Sequence, residues 1–362
     1  MLSLCKTFAK MRKLFLLLTA SLLLAACGKG NRYIQVTGHA QGGVYSVKIN
    51  MEGVNVSPDE IRDSVAAILE NIDTTLSGYN KGSLLSKFNA GQPVTPNALF
   101  LDTYLLARKW YARSGGILDC AAGPLFDAWG FGFREGKLPS DEKVQEILKT
   151  SGMNRLWPRM RPRPDGKVYP QDLLIEGEVL PQLNYTAIAQ GYTADLVAGY
   201  LYRIGVKDML VDIGEIWCDG RNPSGQPWSV GVDRPFDRPL DGSDQAGAQL
   251  SGVWTSGGFP RGIVTSGNYR KYYVEDGKKY AHTIDPRSGY PVRHNLLSAT
   301  VVSQESSASA DALATWCMVV GLEEAQRLIL GDAALEGYLV YTDESGEMAE
   351  WSSPGFTLTS TE

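Results

Sequence analysis

Runs of period two and stretches of period 3.6 alternate along this chain, as in a mixed α and β protein. Val44-Tyr45-Ser46-Val47-Lys48-Ile49 alternates apolar and polar residues after a turn at Gly42-Gly43, as a half-buried strand does. A helix is predicted over 58–72, with Ser57 as its cap and Pro58 in the first turn. A second spans 98–113 and stops at Gly115-Gly116, and Ser140 caps a third over 141–149. A fourth, over 189–204, is expected to bury Tyr192, Leu196, Tyr200 and Ile204 before Gly205 ends it. Strands follow over 206–213, 228–232, 263–266, 270–274, 298–303 and 337–341, with a helix pair over 308–320 and 322–330. The stretch 155–167 is basic and carries prolines and an Asp165-Gly166 turn; it reads as a solvated hairpin, and 237–252 as a polar surface loop. No fixed-period repeat and no long linker divides these elements. They form one α+β unit with two lobes.

The N-terminal residues follow a different rule. Met11-Arg12-Lys13 is a basic start, and 14–26 is apolar apart from Thr19 and Ser21. That run is too short to cross a bilayer comfortably and fits the core of a secretory signal. It closes on Leu24-Ala25-Ala26-Cys27, which resembles a bacterial lipobox with Cys27 as the lipidated first residue of the mature protein. An ordinary cleaved signal with an incidental cysteine is the alternative. The expected organisation is a signal peptide over 1–26, a lipidated cysteine and short tether over 27–37, and one domain over 38–358. Two acyl signals suffice for stable membrane anchoring. Met11 serves as a start as well as Met1 does.

Composition narrows the chemistry. A hydrophobic fraction of 43% excludes wholesale disorder, and a net charge of −5 gives no broad footprint for nucleic acid. Three histidines and five cysteines leave little material for a multi-histidine zinc centre, so a metal here is expected on oxygen ligands. With Cys5 removed and Cys27 acylated, Cys120, Cys218 and Cys317 remain. Their number is odd and no Cys-x-x-Cys occurs, so they read as small buried hydrophobes.

Four segments carry candidate chemistry. Asp311 and Thr315 are four residues apart on a predicted helix, so a carboxylate and a hydroxyl share one face and suit Mg²⁺. Alone, the pair reads first as a helix-start acid beside a packed threonine. Ala187-Ile188-Ala189-Gln190-Gly191 enters a helix with small residues, a seat for phosphate. His282 precedes an Ile284-Asp285-Pro286 turn and could take a proton near neutral pH, although a lone histidine is more often structural. Asp119-Cys120-Ala121-Ala122-Gly123-Pro124 leads to Trp129-Gly130-Phe131-Gly132, aromatics that wall a flat ring or cap the core.

The order of these segments is more specific than any one of them. Leu76-Ser77-Gly78-Tyr79 and Ser86-Lys87-Phe88-Asn89 come first, then Gly123-Pro124-Leu125. Ala187 to Tyr192 with Asp195 follows, and then Thr265-Ser266-Gly267-Asn268-Tyr269-Arg270. His282-Thr283-Ile284-Asp285-Pro286 and Ala310-Asp311-Ala312-Leu313-Ala314-Thr315 complete the set. The chain from about Gly38 to Phe356 thereby resembles the ApbE family of periplasmic, often lipid-anchored FAD:protein FMN transferases.

The resemblance implies a single two-lobed, T-fold-like domain and a lipid-anchored location facing the periplasm. It implies FAD as substrate, Mg²⁺ as cofactor, and an acceptor flavoprotein whose Thr or Ser hydroxyl receives FMN as AMP leaves. Carried over residue by residue, the Mg²⁺ ligands are Asp311, Thr315 and the Ala187 carbonyl, and the proton acceptor is His282. Flavin and adenine contacts fall on Gln41, Tyr79, Leu118, Asp119, Cys120, Asn184, Gln190 and Ile284. Some positions depart from the family pattern. Gln41 replaces a methionine, Asn184-Tyr185-Thr186 an Asp-Leu-Gly, Gln190 a lysine, and Gly214 a pair of glycines. FAD hydrolysis to FMN and AMP, and flavin binding without catalysis, are the alternatives those departures keep open.

Overall fold

The computed structural model describes residues 32–131, 138–160, 173–177, 182–235, 249–268, 272–275 and 278–360. The signal, Cys27, the Asp165-Gly166 turn and most of the 237–252 loop lie outside them, as do Tyr269 and Arg270. Eight strands form one sheet: β1 (Tyr33–Ala40), β2 (Gly43–Asn50), β3 (Met209–Asp212), β4 (Ile216–Asp219), β5 (Arg261–Gly267), β6 (Leu296–Ser303), β7 (Leu335–Thr342) and β8 (Met348–Ser352). They lie side by side in chain order, each antiparallel to the next. The sheet is thus a meander, with helices and hairpins inserted in its connections.

The tightest connection is Gln41-Gly42 between β1 and β2, with φ of 51° and 81°. Two positive φ values in a two-residue hairpin match the right-handed twist of the strands, and Gln41 is the non-glycine that accepts this conformation. β1 begins at Tyr33, inside the segment expected as tether. Its alternation is easily missed, because Gln35, Thr37 and His39 face solvent and Val36 is its one fully buried side chain.

The β2–β3 connection carries α1 (Pro58–Leu76), α2 (Leu84–Asn89), α3 (Ala98–Arg113), α4 (Gly123–Ala128), α5 (Asp141–Leu148) and α6 (Ala189–Arg203). Ser57 and Glu60 form a reciprocal capping box at the start of α1. That helix runs one turn beyond the predicted 58–72 because Thr75 and Leu76 are buried. Leu156–Met160 pairs with Leu173–Gly177, as expected of the hairpin. α7 (Ser307–Val320) and α8 (Leu322–Leu330) join β6 to β7. The hairpin Ser229–Asp233 with Leu250–Thr255 covers part of the sheet, so 250–252 is strand rather than surface loop. Trp228, Val232 and Trp254 pack there on Cys218, Ile263 and Val340. Cys120, Cys218 and Cys317 are all free and buried.

One predicted face needs correction. α6 buries Gly191, Thr193, Ala194, Val197, Ala198 and Leu201, whereas Tyr192, Leu196, Tyr200 and Ile204 are only half-buried. The reason is closeness: small residues let α6 approach its neighbours where tyrosines could not. A Cβ on Gly191 would lie 2.4 Å from the Ser307 carbonyl oxygen, and one on Gly262 would lie 2.6 Å from the Ser307 Cα. The first turn of α7 is therefore wedged between two glycines, one on α6 and one on β5. Gly191→Ala should cost about 1–3 kcal/mol of stability by overpacking this crossing, read from urea denaturation. An unchanged midpoint would show that the crossing is looser than these distances imply.

Candidate active site

Asp311 lies on the second turn of α7 and is buried. Its Oδ2 accepts a 3.1 Å bond from the Gly191 main-chain N–H at the start of α6. Among the described residues no lysine, arginine or histidine pairs with it. Burial, with the Asp195 charge nearby, pushes its carboxyl up to about 7. Thr315, one turn further along α7, is half-buried. Ala187 is half-buried in the turn that leads into α6, four residues before Gly191. These residues offer a carboxylate, a hydroxyl and a main-chain carbonyl, all hard oxygen donors. A buried carboxylate without a cationic partner fits a small divalent cation.

The α6 start is a smaller anion seat than its composition suggests. The Ile188 and Ala189 N–H groups both donate to the Tyr185 carbonyl, and Gly191 N–H is taken by Asp311. The entering segment is held from three sides. Asn89 clamps Leu183, its Oδ1 accepting from the Leu183 N–H and its Nδ2 donating to the Leu183 carbonyl, both at 2.8 Å. Asn184 N–H donates to the Cys120 carbonyl at 2.7 Å, and Gly123 N–H donates to the Gln182 carbonyl. A Cβ on Gly123 would sit 2.6 Å from that Gln182 oxygen. The side chain of Asn184 makes a local turn by accepting from Thr186 N–H.

Leu118 and Cys120 are buried in the main core. Asp119 Oδ1 accepts from Ala121 and Met153 N–H, and burial pushes that carboxyl up to about 6. Burial together with the Asp119 and Asp311 charges pushes the Cys120 thiol up. Leu118, Asp119 and Cys120 are thus committed to the fold through their side chains. Ile284 is buried with Ala122, Leu125 and Trp129, so it too is a core position.

His282 is half-buried, its ring 6.4 Å from Phe131 in an edge contact. The loop after it is tied down by hydrogen bonds. Thr283 Oγ1 donates to Asn268 Oδ1, Val292 N–H donates to the Thr283 carbonyl, and Trp129 Nε1 donates to the Gly289 carbonyl. The aromatics of the Trp129–Phe131 segment therefore divide: Trp129 is core, and Phe131 stands by the histidine. Tyr79 is exposed on the turn after α1.

The departures from the family pattern fit one another. Gln41 Nε2 donates to Thr193 Oγ1 on α6 at 2.6 Å, which ties the β1–β2 turn to the site. Gln190 Nε2 reaches the Ile213 carbonyl at 3.4 Å and lies over Gly214, where a Cβ would stand 2.9 Å away. Direct bonds join Gln41 to α6, α6 to Asp311, and Asn184 to Cys120. A cleft of about 260 Å³ between α1, α3 and α6 contains none of the expected ligand contacts, but Tyr192 and Asp195 line it. Sequence reasoning missed the clamp by Asn89 and the use of Asp195, which accepts from Ser307 and Ala308 N–H at 2.7 and 2.9 Å.

The model of the ApbE family matches residues 42–339. The chain belongs to the ApbE family. It is 30% identical over 351 residues to an FAD:protein FMN transferase of Haemophilus influenzae, covering 94% of this chain and 96% of that protein. It is 32% identical over 307 residues to the Escherichia coli protein of the same name, covering 82% and 81%. The fold matches flavin transferase ApbE from Vibrio cholerae with a TM-score of 0.71 at 26% identity, covering 89% of this chain and 97% of that one. It matches the apo flavinyl transferase ApbE of Pseudomonas stutzeri with a TM-score of 0.72 at 29% identity, over 89% and 95%. This α+β fold of helices around one large antiparallel sheet is thus an ApbE fold.

If Asp311 holds a cation, proton and cation compete for it, and because burial raises its carboxyl the apparent affinity should fall as the pH is lowered from 8 to 6. Mn²⁺ titrations at these two pH values read this directly; equal affinities would remove Asp311 as a ligand.

Proposed function

We propose that this protein is an Mg²⁺-dependent FAD:protein FMN transferase that modifies a flavoprotein at the periplasmic face of a membrane, to which Cys27 anchors it by lipid. The observation that carries the reading is Asp311, buried beside Thr315 and the α6 start, with no cationic partner among the described residues. Asp311, Thr315 and the Ala187 carbonyl would hold the cation. When bound, it supplies Lewis-acid stabilisation of charge building on the pyrophosphate.

The chain's own residues do the rest. Gln41, bonded from the β1–β2 turn to Thr193, and Gln190, in the first turn of α6, would contact the flavin. His282, steadied by the Thr283–Asn268 bond, accepts the proton of the acceptor Thr or Ser hydroxyl. The acceptor oxygen forms a bond to the FMN-side phosphorus, the P–O–P bond breaks, and AMP leaves with the bridging oxygen. FMN stays on the acceptor as a phosphoester.

Incubation with FAD, Mg²⁺ and an acceptor flavoprotein domain should give a fluorescent covalent adduct and one AMP per adduct. Free FMN and AMP without acceptor would instead make the protein a pyrophosphatase. Intact FAD held at one per chain would make it a flavin-binding lipoprotein.

A further inference from the structure

We infer that Asp195 is a positioning residue for the cation site, acting through the first turn of α7; this rests on the function proposed above. Asp195 is on α6, one turn after Gly191, and Asp311 is on α7, one turn after Ser307. Each carboxylate binds the N-terminal turn of the other helix. Asp195 Oδ1 accepts from Ser307 N–H at 2.7 Å and its Oδ2 from Ala308 N–H at 2.9 Å, while Asp311 accepts from Gly191 N–H at 3.1 Å. Two oxygens on two successive N–H groups fix both the rise and the rotation of that turn. Asp311 and Thr315 follow from it at one-turn intervals, so their placement inherits its geometry.

α7 has its own cap, Ser306 Oγ accepting from Ser309 N–H at 2.9 Å, and Asp195 takes the Ser307 and Ala308 N–H groups that this cap leaves open, so the turn is held from α6 as well. The turn is also pressed between Gly191 and Gly262 and tied to β4 by Ser307 Oγ donating to the Ile216 carbonyl. Outside this frame, Glu305 meets Lys109 at the surface. Among the described residues no lysine or arginine neutralises Asp195, so both of its oxygens are given to the helix. Supports one step removed from a metal ligand are worth about 10–100-fold in affinity.

The test uses Mn²⁺ as probe on the metal-free protein, with FAD binding in chelator and thermal midpoint measured beside it. Asp195→Asn keeps one acceptor and turns a donor toward the second N–H. It should weaken Mn²⁺ binding by about tenfold or more while FAD binding in chelator is unchanged. Ser306→Ala, which loosens the same turn from its other cap, should weaken Mn²⁺ binding less. Lys109→Ala, at the surface pair, should leave it alone. A lowered midpoint in Asp195→Asn with wild-type Mn²⁺ affinity would reduce Asp195 to a stabilising cap and overturn the inference. Where Asp195→Asn does not fold, Ser306→Ala with wild-type Mn²⁺ affinity overturns it equally. A wild-type protein that binds no Mn²⁺ would overturn the cation site itself, an outcome the variants cannot mimic.

Discussion

Asp311→Ala should form no adduct and release no AMP while remaining folded. Two effects separate chemistry from stability here. The substitution removes the carboxylate of the proposed cation site, and several kcal/mol of transition-state stabilisation should go with it. At a factor of ten per 1.36 kcal/mol, the rate should drop by at least about 10³-fold. The fold loses less. One main-chain donor, Gly191 N–H, loses its partner, at about 1–3 kcal/mol, and removal of a buried unpaired charge offsets part of that. The thermal midpoint in chelator should therefore stay near wild type, and the rise on adding Mg²⁺ should vanish. A variant that stays active, or that responds to Mg²⁺ as the wild type does, would move the cation elsewhere.

The second large effect is at His282. Removing a general base typically costs about 10²–10⁴-fold, so His282→Ala should lose transfer by that factor while binding Mn²⁺ and FAD normally. The contrast with Asp311→Ala is the informative part: one variant loses metal binding and chemistry together, the other chemistry alone. Its neighbours make a structural explanation testable. Thr283 and Val292 hold the loop through bonds that do not involve the imidazole, so the thermal midpoint should barely move. A large drop in midpoint with partial activity would mean that the ring chiefly supports Phe131.

Most elements were legible because their local signals agree with the fold. Ser57 before Pro58, Asn97 before Ala98 and Ser140 before Asp141 all cap the helices they precede. The buried face of α6 was not legible. Hydrophobicity points to Tyr192, Leu196 and Tyr200, but close approach to Ser307 and Ala308 requires Gly191, and Ala194 and Ala198 pack on the sheet and α1 with Val47, Ile49 and Ile61. Those preferences belong to partners more than a hundred residues away and leave no local trace. The same distance hid the roles of Asn89 and Asp195, whose bonds run to 183 and to 307–308. For Leu118, Cys120 and Ile284 the resemblance identified the segments, whereas burial decides that their side chains are core. The paired fit of Gln41 with Thr193, and of Gln190 with Gly214, likewise needed three dimensions.

The central claim is transfer of FMN to protein through a site built on Asp311. Intact-mass spectrometry of an acceptor flavoprotein domain, after incubation with this protein and FAD, tests it most directly. With Mg²⁺ the acceptor should gain the mass of one FMN less one water, lost when its hydroxyl is replaced by alanine. With chelator it should stay unmodified. An unmodified acceptor in both arms, or an equal gain in both, would contradict the account.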